Sequence, residues 1–299
     1  MKFLWFGKES VNEVLTHNGE DNLVLKEGAH ILNNCNNVTL TGKATVLEST
    51  KSDYLIINKR AKIQILNSGY IREVSGNAKI GLIRSGVIGK IAGNVKITTV
   101  NQGKIDYMKD KSKIGTFNQG SINFIDDRCV VGTCNNIKVL YLRNNATINT
   151  LINGSILAVC DKASINTIMN GDVSYLLDFS KVSTLNQGHI GEVCDNTVIA
   201  TANNGKITSL RGNATINSLI DATIANKYGD YKILFDKNAK PEDVEPALLD
   251  APQAVEPSEE NAVAEQVEEV KEEAQAEENK EEKAAPALQL EDESEEDDK

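Results

Sequence analysis

Written in rows of 17 from Lys26, the chain places its apolar residues in the same columns row after row. With Lys43 taken as position 1 of a row, position 4 reads Val46, Ile63, Ile80, Ile97, Ile114, Val131, Ile148, Ile165, Val182, Ile199, Ile216 and Ile233. Position 12 reads Ile71, Ile88, Ile105, Ile122, Val139, Ile156, Val173, Ile190, Ile207 and Ile224. Each is followed three residues later by a second apolar side chain, such as Leu66, Ile83, Val100 and Phe117 at position 7 or Val74, Ile91, Met108 and Ile125 at position 15. The near-identical segments "NATINTLI" from Asn145 and "NATINSLI" from Asn213 are one row sampled twice.

The remaining columns describe how the rows turn. Position 10 is Gly at Gly69, Gly86, Gly103, Gly120, Gly154, Gly171, Gly188 and Gly205, with Ile137 as the exception, and position 17 is almost always Gly, Asp or Asn. Both columns predict turns at which positive φ is tolerated. Position 2 is mostly small (Ala44, Ala61, Ala78, Ser112, Cys129, Ala146, Ala163), which suits a crowded corner.

A unit of this length is too short for a helical hairpin, and its β-branched columns favour strands stacked on the equivalent strand of the next row. The expected fold is therefore all-β: a single-stranded parallel β-solenoid, or β-helix, with 17-residue coils. About 12 coils are expected between Lys26 and Asp236, giving a rod of ~58 Å at ~4.8 Å per coil. Right-handed winding is expected from the general rule for parallel crossovers.

Composition divides the chain further. All five prolines lie beyond residue 240, as expected if every earlier strand needs its N–H for a ladder. Residues 1–236 carry 26 Lys+Arg and 20 Asp+Glu, whereas 237–299 carry 6 Lys and 23 Asp+Glu, so a +6 body is joined to a −17 tail. Three regions follow: a cap over 1–25 built on Phe3, Leu4, Trp5 and Phe6, the solenoid over 26–236, and an acidic disordered tail over 237–299. Val263, Val267, Val270 and Ala274 have helical spacing and predict an amphipathic helix near 262–285. Membrane or partner contact is the other reading of the 1–25 segment.

The start of the chain has no apolar run of signal-peptide or membrane-spanning length, which points to the cytoplasm or to a virion assembled there. Five cysteines (Cys35, Cys129, Cys134, Cys160, Cys194) form no CxxC pair and read as reduced structural thiols. His17, His30 and His189 are scattered, and no P-loop, HExxH or nucleophile elbow occurs. The expectation is a protein that is not an enzyme and uses no cofactor and no metal.

Function would then reside in outward columns. Position 6 gives a hydroxyl ladder, Thr99, Thr116, Thr133, Thr150, Thr167, Thr184 and Thr201. It reads either as a flat array of the kind that meets ice or sugar, or as Thr favouring a strand. Position 14 carries Tyr107, Phe124, Tyr141 and Tyr175, an aromatic stripe if outward and core if inward. Asp110, Asp127, Asp161, Asp178 and Asp195 at position 17 stack like charges and suggest either turn geometry or calcium between coils. Lys62, Lys79, Lys96 and Lys113 occupy position 3 of successive rows, a basic strip for a polyanion, for the chain's own acidic tail, or for solvent alone.

"GVIGKI" at 86–91 and "GHIGEV" at 188–193, set between a short leading segment and a charged tail, resemble the bactofilins, polymer-forming bacterial β-solenoids. The resemblance implies a structural solenoid that self-associates and transfers no individual residue. The sequence thus predicts a non-catalytic scaffold that presents ladders to a protein partner or to copies of itself. A carbohydrate-binding or polysaccharide-degrading β-helix, with a phage virion as one setting for it, is the competing reading.

Overall fold

The structure is a computed structural model, described over residues 13–237 and 239. It is the parallel solenoid that the period predicts. Each coil contributes two strands, for example Thr147–Ile152 and Ser155–Val159, and each strand pairs in parallel with its equivalent in the next coil. Register is exact over most of the rod: Ile148 pairs with Ile165, and Ile156 with Val173. In Lys79–Ile91, Lys96–Met108 and Lys113–Ile125 the two strands run together without a break.

Positions 4, 7, 12 and 15 turn inward and form one continuous core in which Ile148, Leu151, Val159 and Ile165 are fully buried. Burying each such side chain contributes ~1.5–3 kcal/mol, and buried parallel strands favour the β-branched shapes found here. The small residues of position 2 close one corner, with Ala44, Ala61, Ala78, Ser112, Cys129 and Ala146 all at 0% exposure.

The solenoid begins earlier than the period suggests. Val14–Asn18 pairs with Ala29–Asn33, and Val24–Leu25 with Val38–Leu40, both at an offset of 15 residues. The next step shifts from 16 to 17 across irregularities at His30/Ile31 and Val38/Thr39. Residues 14–25 therefore pair as a coil of their own, and their shorter turns take them out of phase with the 17-residue period. Among the described residues thirteen complete coils result, where about 12 were expected, and Lys232–Ile233 starts a further one. The rod is ~62 Å long at ~4.8 Å per coil. Residues 1–12, with the Phe3–Phe6 cluster, lie outside the described residues, as does the expected helix near 262–285.

The glycine column also works differently from the expectation. In the later coils the left-handed residue sits one place earlier, at Asn136, Asn153, Asn170, Gln187 and Asn204, with φ of 49–55°. Asn tolerates this region because its amide bonds locally. Position 10 is Gly for want of space: a Cβ on Gly154 would lie 2.7 Å from the Ile137 carbonyl and 2.8 Å from Leu151 Cδ1. The one exception explains itself by volume. Ile137 is buried at 1% exposure in the coil whose position 7 is the small Cys134, where neighbouring coils carry Phe117 and Leu151.

Candidate interaction ladders

Position 6 forms the ladder expected of it. Thr99, Thr116, Thr133, Thr150, Thr167, Thr184 and Thr201 are paired in unbroken succession and end on Ser218. All seven threonines are half-buried, so the array is a shallow stripe along the strands rather than a fully exposed plane. Amide ladders flank it: Asn118 Nδ2 donates to Asn101 Oδ1 at 3.0 Å, and Asn166 Nδ2 to Asn149 Oδ1 at 3.1 Å.

The aromatic column is neither open stripe nor central core. Tyr107, Phe124 and Tyr141 are paired in successive coils and are each 6% exposed, while Tyr175 is half-buried beyond Ala158. They stand outside the central cluster and pack on one another, with ring centroids 5.8 Å apart for Tyr107–Phe124 and 5.2 Å for the stacked Phe124–Tyr141 pair. Asp126, two residues beyond Phe124, ties this layer together. It accepts from the Tyr107 hydroxyl at 2.5 Å and takes both arms of Arg143, Nε at 2.8 Å and Nη2 at 2.7 Å. The Arg143 guanidinium lies over the Phe124 ring at 5.1 Å. Asp126 is 2% exposed, so the pair is a desolvated bidentate bridge. The sequence reading overlooked Asp126 and Arg143; opposite charges exactly one period apart were the available signal.

The acidic column is a hydrogen-bonding device. Each carboxylate reaches back one coil: Asp110 Oδ2 accepts from the Gly93 N–H at 2.6 Å and Asp127 Oδ2 from Asp110 at 3.0 Å. Farther along, Asp161 Oδ2 accepts from Asn144 at 3.0 Å, Asp178 from Asp161 at 2.9 Å and Asp195 from Asp178 at 3.0 Å. These aspartates hold φ of 55–66°, so the same residue makes the turn and bonds its neighbour. Among the described residues no three His, Cys, Asp or Glu side chains converge as a metal set.

The lysine column is fully outward. Lys62, Lys79, Lys96 and Lys113 pair in register, all exposed, and the run is bounded by Thr45 on one side and Val130 on the other. Adjacent ammonium groups in such a ladder repel by ~0.9 kcal/mol at ~4.8 Å in bulk water before screening. Exposed Lys59, Arg60, Lys111 and Arg128 line the neighbouring turn edge.

Two histidines that look scattered in sequence meet on the first coils. His17 Nε2 lies 3.2 Å from His30 Nδ1, His17 Nδ1 lies 3.0 Å from Glu20 Oε2, and His30 Nε2 donates to the Glu27 carbonyl at 2.7 Å. This is a polar string that ties the shorter coils together. The cysteines are free thiols, and burial pushes Cys129 and Cys194 up to about 12 from the ordinary 9.0. Cys134 is pushed higher still, again by burial. Among the described residues no helix is long and apolar enough to cross a membrane. Compared with known proteins, the chain matches no family model, no curated protein and no solved structure.

Proposed function

We propose that this chain is a non-catalytic scaffold, a solenoid rod that stacks on copies of itself through its ends and presents side-chain ladders to partners. The acidic tail acts in this reading as a solubilising brake on association, and the setting is the cytoplasm or a virion. The observation that carries the proposal lies at the two described ends. Val14, Leu15 and Val24 on the first coil are exposed, as are Tyr228, Leu234 and Phe235 at the last. Among the described residues, Val14–Asn18 and Thr223–Lys227 are each paired on one side only. Strands at both ends run in the same direction, so a head-to-tail contact would extend the ladder and leave a fresh end, the geometry that builds open filaments.

The carbohydrate reading loses support, because three of the four aromatic rings it needs as an exposed platform are covered and Tyr175 stands half-buried apart from them. Sedimentation velocity and negative-stain imaging of the full chain over a wide concentration range test the scaffold. Assemblies that lengthen by whole rods are expected, and Leu15→Lys with Val24→Lys should block them. A monodisperse monomer at every concentration would refute the proposal.

A further inference from the structure

We infer that the lysine ladder of the fourth to seventh coils is a docking strip for the phosphate backbone of a nucleic-acid duplex, read without regard to base sequence. Charge is concentrated there: residues 59–113 hold 12 Lys+Arg against 3 Asp+Glu. The rest of the body, residues 1–58 and 114–236, holds 14 against 17, so the whole positive excess of the rod lies in this segment. Of those three acids, Asp110 is already engaged by the Gly93 N–H, and Asp106 pairs with Lys104 at 2.8 Å.

Beside the four lysines the next outward column is Gln64, Gly81, Thr98 and Gly115. A Cβ at Gly81 or Gly115 would lie 2.6 Å from the carbonyl of Gln64 or Thr98, so the backbone there admits no larger side chain. The result is a low shelf, from which only the polar side chains of Gln64 and Thr98 project, edged by a straight row of ammonium groups and, on its other side, by Thr99 and Thr116. The row spans ~14 Å at ~4.8 Å per coil. A duplex is the polyanion that suits a straight, rigid row, since it is itself straight and offers one negative charge per ~1.7 Å of axis. The shelf carries no aromatic side chain, which removes base stacking and leaves phosphate contact alone.

The strip and the rod ends are separate surfaces, so duplex binding and filament growth are read in different assays and either can fail alone. The test is fluorescence anisotropy of the full chain with a labelled duplex of mixed sequence, titrated over a range of NaCl. Four neutralised phosphates predict a slope of about −3.6 in log K against log salt. Lys62→Gln, Lys79→Gln, Lys96→Gln and Lys113→Gln together should cost at least about tenfold in affinity at low salt and flatten that slope. Lys138→Gln, Lys181→Gln and Lys206→Gln, exposed lysines elsewhere on the rod, should leave both unchanged, with circular dichroism melts checking that each variant folds. No duplex binding by the full chain at low salt, or binding that the ladder variant retains, overturns the inference. So does binding that appears only when 242–299 are removed, which would make the tail the strip's occupant, or binding of heparin with none of the duplex.

Discussion

The exchange of volumes between Cys134 and Ile137 gives the sharpest test of how this core is packed. Repeat averaging would replace Ile137 with Gly, the residue at that position in eight of the other coils, and consensus substitutions commonly stabilise. The structure predicts the opposite. Ile137 is 1% exposed and fills the corner that Phe117 or Leu151 fills in adjoining coils, while Cys134 on the same coil is fully buried and too small to replace it. Ile137→Gly therefore removes four buried carbons and opens a cavity, a loss of ~3–5 kcal/mol for truncations of this kind, plus ~0.5–1 kcal/mol for glycine's backbone freedom. In a rod of this size such a loss lowers the melting temperature by roughly 7–24 °C. Because solenoid coils unfold with their neighbours, hydrogen exchange should rise first in the strands Val130–Asn135 and Ile137–Leu142 and the coils that flank them. Adding Cys134→Leu restores the usual arrangement, and the double variant should regain most of the loss, a coupling well above the additive limit. A single variant as stable as the parent, or a double variant no better than the single, would refute the packing argument.

Three further outcomes follow from individual buried groups. Thr197 occupies the corner that Val95 fills elsewhere, its hydroxyl has no hydrogen-bond partner, and Thr197→Val should raise stability by ~1–2 kcal/mol in a denaturant titration. Arg143→Ala leaves the Asp126 carboxylate buried without its bidentate partner and should cost ~3–5 kcal/mol, more than Tyr107→Phe, which removes one bond to the same group. The raised thiols of Cys129, Cys134 and Cys194 favour the protonated form in the folded state, so the stability they contribute is complete below pH 9.0 and is lost as pH climbs toward about 12. Urea midpoints should fall over that window, and a variant with all three replaced by Ala should show a flatter alkaline limb.

What could be read from the chain before folding was what every coil shares. The isoleucine columns, the small corner at position 2 and the Asp/Asn turns recur because each coil meets the same neighbours, and repetition turns a weak local preference into a visible column. What escaped were features that belong to one coil or to a pair. Val14–Leu25 fell outside the rows because its coil is two residues shorter, although Val14–Asn18 pairs over all five of its residues and Val24–Leu25 over both of its own. The rings of position 14 had no single answer in sequence because their burial depends on Asp126 and Arg143, which lie in different coils and meet only through stacking. Position 10 showed its glycines plainly but not the whole of their reason: Gly69 and Gly120 hold the positive φ expected of a turn, whereas at Gly154 and Gly171 a neighbouring carbonyl and Leu151 leave no room for a Cβ.

The aspartate column illustrates how stacking changes the meaning of a charge. Like charges one coil apart are unfavourable in isolation, and a bound cation is one remedy. Here the carboxylate of each coil instead receives the backbone N–H of the coil before it, a charge-assisted bond that also satisfies a donor in a left-handed turn. Two consequences separate this account from a calcium-dependent one. Asp161→Ala should cost ~1.5–3 kcal/mol, the loss of one hydrogen bond to a charged acceptor, and it should do so with or without calcium. The column is interrupted at Asn144, where an amide replaces the carboxylate that would face Asp127, so Asn144→Asp should extend the series and stabilise by ~1 kcal/mol. Melts in excess calcium and in EDTA should coincide for the parent and both variants. A chelator that lowers the parent's melting temperature, or an Asp161→Ala loss that vanishes without calcium, would show that the carboxylates hold a metal rather than the preceding coil's backbone.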